Sequence, residues 1–308
     1  MTACWACLRR VVDDERYHPK CVRELFGVTK VPKLDVELAR LHTLALAMVG
    51  HTSMSGVQRK ISLRLETESR TLRVAAEGGD FILKPQAQTF PFLPENEHVT
   101  MRIAERIGIV IPPCALIELK DGSLAYIVRR FDRVARGGKL LQEDFCQLAS
   151  RSPKDKYRGS AELCARLLLR YASAPLVDAE RLFRLLVFVW WTGNGDMHLK
   201  NFSLLRGEDG HYRLSPAYDL LNTRLVIPDD ELALPVGGSK RLGRKRWLAL
   251  ANSCGLPPRV ADRVMAEIGA ATAQAEELIE ASLLPEDMKH AYRDLVRERG
   301  KMLAATRG

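Results

Sequence analysis

The sequence predicts an α+β protein in two lobes, the first built on sheet and the second on helices. Three observations carry that expectation. Apolar and polar residues alternate along 61–65 and 71–74, the period of half-buried strands, and further short strand-like segments follow up to residue 128. Beyond residue 133 the apolar spacing changes to the three-and-four pattern of helices. The 308 residues, 46% of them hydrophobic and 28% charged, suffice to bury a large core.

In chain order, residues 1–27 bear cysteines and are expected to be irregular. Leu34, Leu38, Leu41, Ala45 and Met48 then share one helix face, predicting a helix over 34–48. Strands follow at 61–65, 71–74 and 80–85, the last stopped by Pro85. Val99, Ile103, Ala104 and Ile107 form the apolar stripe of a helix over 95–107, ended by Gly108. Strands at 114–119 and 124–128 are joined by the turn Lys120-Asp121-Gly122-Ser123. Helices are predicted at 160–172, 178–192, 245–253, 257–281 and 285–306, with one further strand at 212–214. No internal repeat is visible, and the expected division is 1–27, 28–128 and 129–308.

The most apolar stretch, 182–191, is too short to span a bilayer and contains Arg184. No apolar segment follows a basic start, so a cytoplasmic protein with no membrane partner is expected. The chain holds 47 basic and 38 acidic residues, a formal charge of +9. The basic residues cluster at Arg129-Arg130, Arg133 and Arg136 and again over 240–246, with no interleaved aromatics. That pattern fits solvated surface or attraction for phosphate, and direct nucleic-acid binding is not expected. Seven cysteines are an odd number, and Cys114, Cys146, Cys164 and Cys254 stand singly, so no disulfide framework follows. Cys4-x-x-Cys7 and His18-x-x-Cys21 are two ligand pairs suited to a tetrahedral zinc site; a cysteine-bearing strand pair without metal is the alternative.

The strongest chemical signal is Gly193-Asn194-Gly195-Asp196-Met197-His198-Leu199-Lys200-Asn201 with Tyr218-Asp219 downstream. Phosphoryl transfer to a hydroxyl needs a carboxylate to orient the hydroxyl and hard oxygen ligands for magnesium. Asp196 supplies the first, Asn201 and Asp219 the second. The spacing matches the catalytic loop and metal-binding Asp of protein kinases, although neither His-Arg-Asp nor Asp-Phe-Gly is present. A weaker signal is the small-residue loop of residues 51–60, where backbone N–H groups and Lys60 suit phosphates. Lys84 closes an apolar strand, and Glu97 or Glu95 opens the next helix, an order fitting a phosphate-binding lysine and its supporting glutamate.

Taken together, Ser53-Met54-Ser55-Gly56-Val57-Gln58-Arg59-Lys60, Phe81-Ile82-Leu83-Lys84-Pro85, Glu95-Asn96-Glu97, Arg130-Phe131-Asp132-Arg133, Gln142-Glu143-Asp144, Asn194 to Asn201 and Pro216-Ala217-Tyr218-Asp219 resemble the successive motifs of the HipA family of bacterial toxin kinases. The resemblance covers roughly residues 50–250 and implies a two-lobed protein-kinase-like fold related to phosphatidylinositol kinases. It implies an ATP- and magnesium-dependent serine/threonine kinase with Asp196 as catalytic base and Asn201 and Asp219 as metal ligands. ATP would be met by Ser55, Gly56, Val57, Gln58, Arg59, Lys60, Lys84, Arg129, Arg130, Phe131, His198, Leu199, Lys200, Asn201, Tyr218 and Asp219, with Glu97 as the ion-pair support. Longer members have a glutamate where Arg129 stands.

The chain is too short for the extra N-terminal subdomain of longer members and so is similar to the short HipT type. That type works with a small protein resembling the missing subdomain and with a DNA-binding antitoxin. It implies autophosphorylation at Ser53 or Ser55 and an aminoacyl-tRNA synthetase target, tryptophanyl or glutamyl. A small-molecule kinase and a catalytically inert binding protein are the alternatives to a protein kinase.

Overall fold

In a computed structural model of the protein, residues 3–12, 15–41, 52–53, 58–76, 78–134 and 137–304 are described; of Thr52, Ser53 and Gln58 only the backbone is. The chain divides into two compact units, each with its own core. Residues 1–102, 112–131 and 280–285 make the first; residues 103–111, 132–279 and 286–308 make the second.

The first unit is built on five antiparallel strands: β3 (Ile61–Glu66), β4 (Thr71–Val74), β5 (Phe81–Pro85), β6 (Cys114–Glu118) and β7 (Leu124–Arg129), in the order β4-β3-β5-β7-β6. A separate short antiparallel pair, β1 (Thr52–Ser53) with β2 (Gln58–Arg59), precedes it. Alternation sorts the side chains. Ile61, Leu63, Phe81, Leu83, Ala115, Ile117, Ala125 and Ile127 are buried in one cluster with Val22, Leu25 and Phe26 of helix α1 (Pro19–Phe26). Lys84 and Tyr126, one residue on from Leu83 and one back from Ile127, face the other side and pair across β5 and β7. There they meet helix α2 (Leu93–Arg106), whose Glu97 bonds Lys84 and whose Arg102 donates to the Cys114 sulfur at 3.0 Å.

Helix α1 corrects the expectation of an irregular start. Pro19 sits at its first turn and Gly27 closes it at φ 73, a left-handed angle glycine adopts at little cost. The helix expected over 34–48 is described only to residue 41, helical from 38; its remainder lies outside the described residues.

The second unit contains a three-stranded antiparallel sheet, β8 (Gln142–Asp144), β9 (Ser203–Arg206) and β10 (Tyr212–Leu214), ordered β10-β9-β8. The sequence pattern showed only β10. The rest is helical: α3 (Phe145–Leu148), α4 (Ala161–Tyr171), α5 (Pro175–Trp191), α6 (Arg244–Ser253), α7 (Pro258–Ala270), α8 (Thr272–Glu280) and α9 (Glu286–Ala304). The single helix expected over 257–281 is two, because Ala271 leaves helical geometry and the Thr272 hydroxyl bonds the Gly269 carbonyl at 2.8 Å. Helix α5 is the axis of this unit. Nearly every residue from Leu182 to Trp191 is buried, and Trp191 Nε1 donates to the Val296 carbonyl of α9 at 2.9 Å. Its end presents the loop that carries Asp196.

Candidate active site

In the second unit, Gly193 terminates α5 at φ 76, and a Cβ there would come within 2.6 Å of Leu295. The loop that follows is held from within. Asn194, fully buried, accepts from the Asp196 backbone N–H through Oδ1 at 3.0 Å and donates through Nδ2 to the Asp219 carbonyl at 3.2 Å. One amide therefore ties the two acidic residues together. Asn201 Nδ2 donates to the Asp196 carbonyl at 3.0 Å, which leaves the amide oxygen as the atom suited to a hard cation. The Gly195 N–H donates to the Thr223 hydroxyl at 2.7 Å, and that hydroxyl bonds Asp230. Gly195 admits no side chain, since its Cβ would lie 2.6 Å from the Glu231 carbonyl oxygen.

Burial raises the Asp196 carboxyl above the ordinary aspartate value. A hydrogen bond from Tyr157 and the Lys156 charge oppose the rise, and the negative Asp219 and Asp230 add to it. Tyr157 Oη to Asp196 Oδ1 is 2.5 Å, and the Tyr157 ring stands edge-on to His198 with centroids 5.1 Å apart. Asp219 holds φ 57, a strained angle that aspartate tolerates better than most residues. Tyr218 Oη donates to the Lys200 carbonyl at 3.0 Å, and Lys200 pairs with Asp144 at 3.3 Å. Leu199 is fully buried.

In the first unit, Lys84 Nζ lies 2.5 Å from Glu97 Oε1, with both side chains almost entirely buried, and 5.4 Å from the centre of the Tyr126 ring. Of the two candidate glutamates, Glu97 is the partner. Glu95 is buried with its Oε2 unbonded, and burial pushes its carboxyl up to about 7. Arg59 and Lys60 are half-buried at the start of the sheet, and Arg129 at the end of β7 donates to the Glu24 carbonyl at 3.5 Å. Arg130 donates its N–H to the Asp80 carbonyl at 2.8 Å, and Phe131 follows at the end of the unit. Ser55, Gly56 and Val57 lie outside the described residues, and Ser53 and Gln58 are described by backbone alone. The ligand atoms of Cys4, Cys7, His18 and Cys21 are gathered within 4.8 Å of one another.

Sequence reasoning did not single out Tyr157, Thr223 or Asp230, and quoted Asn194 in its motif without a role. Nothing in a lone tyrosine 39 residues before Asp196 marks it. Asn194 was detectable, as a buried amide two residues before the acid.

The model of the HipA-like C-terminal domain family matches residues 52–275. A Haemophilus influenzae protein named "Putative kinase" is 32% identical over 203 residues, covering 60% of this chain and 57% of that protein. "Putative kinase Y4mE" of Sinorhizobium fredii is 31% identical over 238 residues, covering 72% and 56%. The chain thus spans little more than half the length of these relatives. Among solved structures, HipA of Shewanella oneidensis MR-1, determined with HipB and operator DNA, superposes with a TM-score of 0.70 at 21% identity, covering 82% of this chain and 65% of that one. The Helicobacter pylori proinflammatory kinase CtkA gives a TM-score of 0.55 at 17% identity, covering 74% and 90%. These two likenesses show a kinase-like fold.

Proposed function

The chain belongs to the HipA-like C-terminal domain family, and from that premise we propose that it is an ATP-dependent serine/threonine protein kinase and the toxin of a toxin–antitoxin pair. The observation that carries the proposal is the bonded set in the second unit, in which Asn194 links Asp196 to Asp219 while Asn201 is bonded to Asp196. The donors fit magnesium: one carboxylate and one amide whose nitrogen is already engaged, both offering oxygen. Magnesium bound with ATP supplies charge neutralisation of the phosphate oxygens.

The residues have separable tasks. Asp196 orients the substrate hydroxyl and accepts its proton; its upward-shifted carboxyl makes it a stronger base than a solvated aspartate. Asn201 and Asp219 hold the metal. Lys84, kept in place by Glu97, takes nucleotide phosphate oxygens, a task shared with Arg59, Lys60 and the backbone N–H groups of residues 55–58. Arg129, Arg130, Phe131, His198, Leu199, Lys200 and Tyr218 complete the nucleotide contacts. Phosphorylation of Ser53 or Ser55 would place about −1.5 to −2 charge where nucleotide phosphates belong, and would switch the enzyme off.

The target is an aminoacyl-tRNA synthetase, and the partners are a DNA-binding antitoxin and a small protein resembling the N-terminal subdomain of longer members of the family. The Shewanella protein's complex with HipB and DNA supports the antitoxin assignment. Among the described residues no helix is long and apolar enough to cross a membrane; the location proposed for the chain is cytoplasmic.

The test is incubation of the purified chain with γ-labelled ATP, magnesium and cell extract. Label is expected on a band of synthetase size and on the kinase, and to be lost in Asp196→Asn and Asp219→Asn. Asparagine tolerates the positive φ at 219, so that variant isolates chemistry from folding. Wild-type labelling by either variant would remove the site assignment; label confined to small molecules would replace the protein target.

A further inference from the structure

Four side chains that the proposed phosphotransfer does not use lie together in the first unit. The thiols of Cys4, Cys7 and Cys21 and the ring of His18 place their ligand atoms within 4.8 Å of one another. We propose that they bind a structural zinc ion, and that this site fastens the β6 edge of the sheet to helix α2, one residue from Glu97.

The backbone is shaped for such a site. Cys4 and Cys7 flank a tight turn in which Leu8 N–H donates to the Cys4 carbonyl at 2.9 Å and Cys4 N–H to the Arg9 carbonyl at 2.8 Å. Leu8 takes φ 58 to close it, and an antiparallel bridge joins Ala3 to Arg10. The Cys4 sulfur faces the N–H groups of Ala6 and Cys7, and the Cys7 sulfur faces that of Arg9. Sulfur atoms set against backbone N–H groups in a tight turn are positioned by the chain itself, before any ion binds. The other two ligands come from the start of α1: His18 is its N-cap, and Cys21 stands in its first turn. His18 provides the most telling detail. Its Nε2 donates to the Arg10 carbonyl at 3.0 Å, so Nδ1 carries the lone pair, and Nδ1 is 3.3 Å from the Cys7 sulfur. A ligating histidine is commonly held in this way, one nitrogen on a carbonyl and the other on metal.

The chemistry selects the ion. Three thiolates and an imidazole form a soft, closed, four-ligand set, which is the donor set of structural zinc sites. With Zn–S bonds of about 2.3 Å, a tetrahedral site separates its sulfurs by about 3.8 Å, inside the spacing seen here. All seven cysteines are free thiols, so no disulfide competes within the cluster.

The residues between the ligands give the site its mechanical role. Trp5 accepts the Leu116 N–H of β6 at 2.9 Å, and Tyr17 donates to the Leu116 carbonyl at 2.6 Å; together they cover an otherwise open sheet edge. The Ala6 carbonyl accepts from buried His98 of α2 at 3.0 Å. His98 follows Glu97, the partner of Lys84. Zinc would therefore hold rigid the turn on which both strand edge and helix rest.

The proposal stands apart from the kinase assignment and is tested without activity. The full chain, produced with zinc supplementation and desalted, is expected to hold one zinc per chain by plasma mass spectrometry. Cobalt(II) in its place should give the visible absorption of a tetrahedral thiolate site. Cys7→Ser and His18→Ala should lose at least nine-tenths of the metal, while Cys164→Ser, in the other unit, keeps it. If those variants do not fold, wild-type metal content and cobalt absorption decide alone. Metal removal with a strong chelator should speed amide exchange in β6 and around residue 98 at least tenfold. Metal-free protein as purified with no cobalt absorption, a disulfide among the three cysteines, or zinc retained in folded Cys7→Ser would overturn the site. Unchanged exchange after zinc removal would overturn the bracing role.

Discussion

The phenol of Tyr157 donates a 2.5 Å hydrogen bond to Oδ1 of Asp196, across 39 residues of chain. A carboxylate with one oxygen bound by a tyrosine has a fixed rotation about its last bond, and general-base geometry depends on that rotation. Tyr157→Phe should lower kcat roughly tenfold, the value of one charge-assisted bond, and leave the KM for ATP unchanged. Steady-state kinetics at saturating magnesium decide it, and an unchanged kcat would remove Tyr157 from the mechanism.

Lys84 and Glu97 are buried to 3% and 1% exposure, so neither charge is eased by water. Replacing Lys84 by Met should destabilise the protein by about 3–5 kcal/mol, because the glutamate is left without its cation. Adding Glu97→Gln should recover part of that loss. Urea unfolding of the single and double variants measures both, and additive effects would show that the pair is not coupled.

Glu95 gives a pH dependence with a definite sign. Its folded carboxyl is pushed from 4.5 up to about 7 by burial, so the folded state holds its proton more tightly than the unfolded chain. Its contribution is fully present below pH 4.5 and is lost as pH rises to about 7. Glu95→Gln should flatten the stability profile in that window and stabilise the protein above it. Melting temperatures across the window test this; parallel curves for variant and wild type would refute it.

Asn194 makes the two bonds that tie the backbones of Asp196 and Asp219. Asn194→Ala should cost about 2 kcal/mol of stability, at about 1 kcal/mol for each bond. Phosphotransfer should fall much further, about a hundredfold, since both acidic residues lose their shared anchor. A variant that keeps wild-type activity would show that the loop holds its geometry by other means.

Much of this architecture is visible in the residue order, and the misses have physical causes. β3 and β4 alternate in hydrophobicity because one face is covered by the core under α1, and periodicity reveals them within a residue or two; β5, β6 and β7 are buried nearly throughout and read as short apolar runs. β8 is half-buried throughout and β9 begins with two buried residues, so neither shows the period of two. Helix α1 is only eight residues long, and its capping histidine has a ring engaged elsewhere, which hides the usual start signal. The break at Ala271 has no proline to announce it, and Gly269, two residues earlier, still lies within α7. In the acidic loop the residue types were legible because phosphoryl transfer admits few substitutes for them.

Which atoms meet was not written in the order of residues. Residue order set Glu95 and Glu97 two positions apart on α2, and only the position of that helix on the sheet gave Lys84 to Glu97 and left Glu95 buried with one carboxylate oxygen unbonded. The bond from Tyr157 to Asp196, and the approach of His18 to Cys7, likewise depend on how the chain returns on itself. The sequence alone determined the chemical inventory and the local periods, since both are properties of side chains and near neighbours. Packing decided the pairings, because a buried charge or ligand takes its partner from whatever the fold brings within reach, at any distance along the chain.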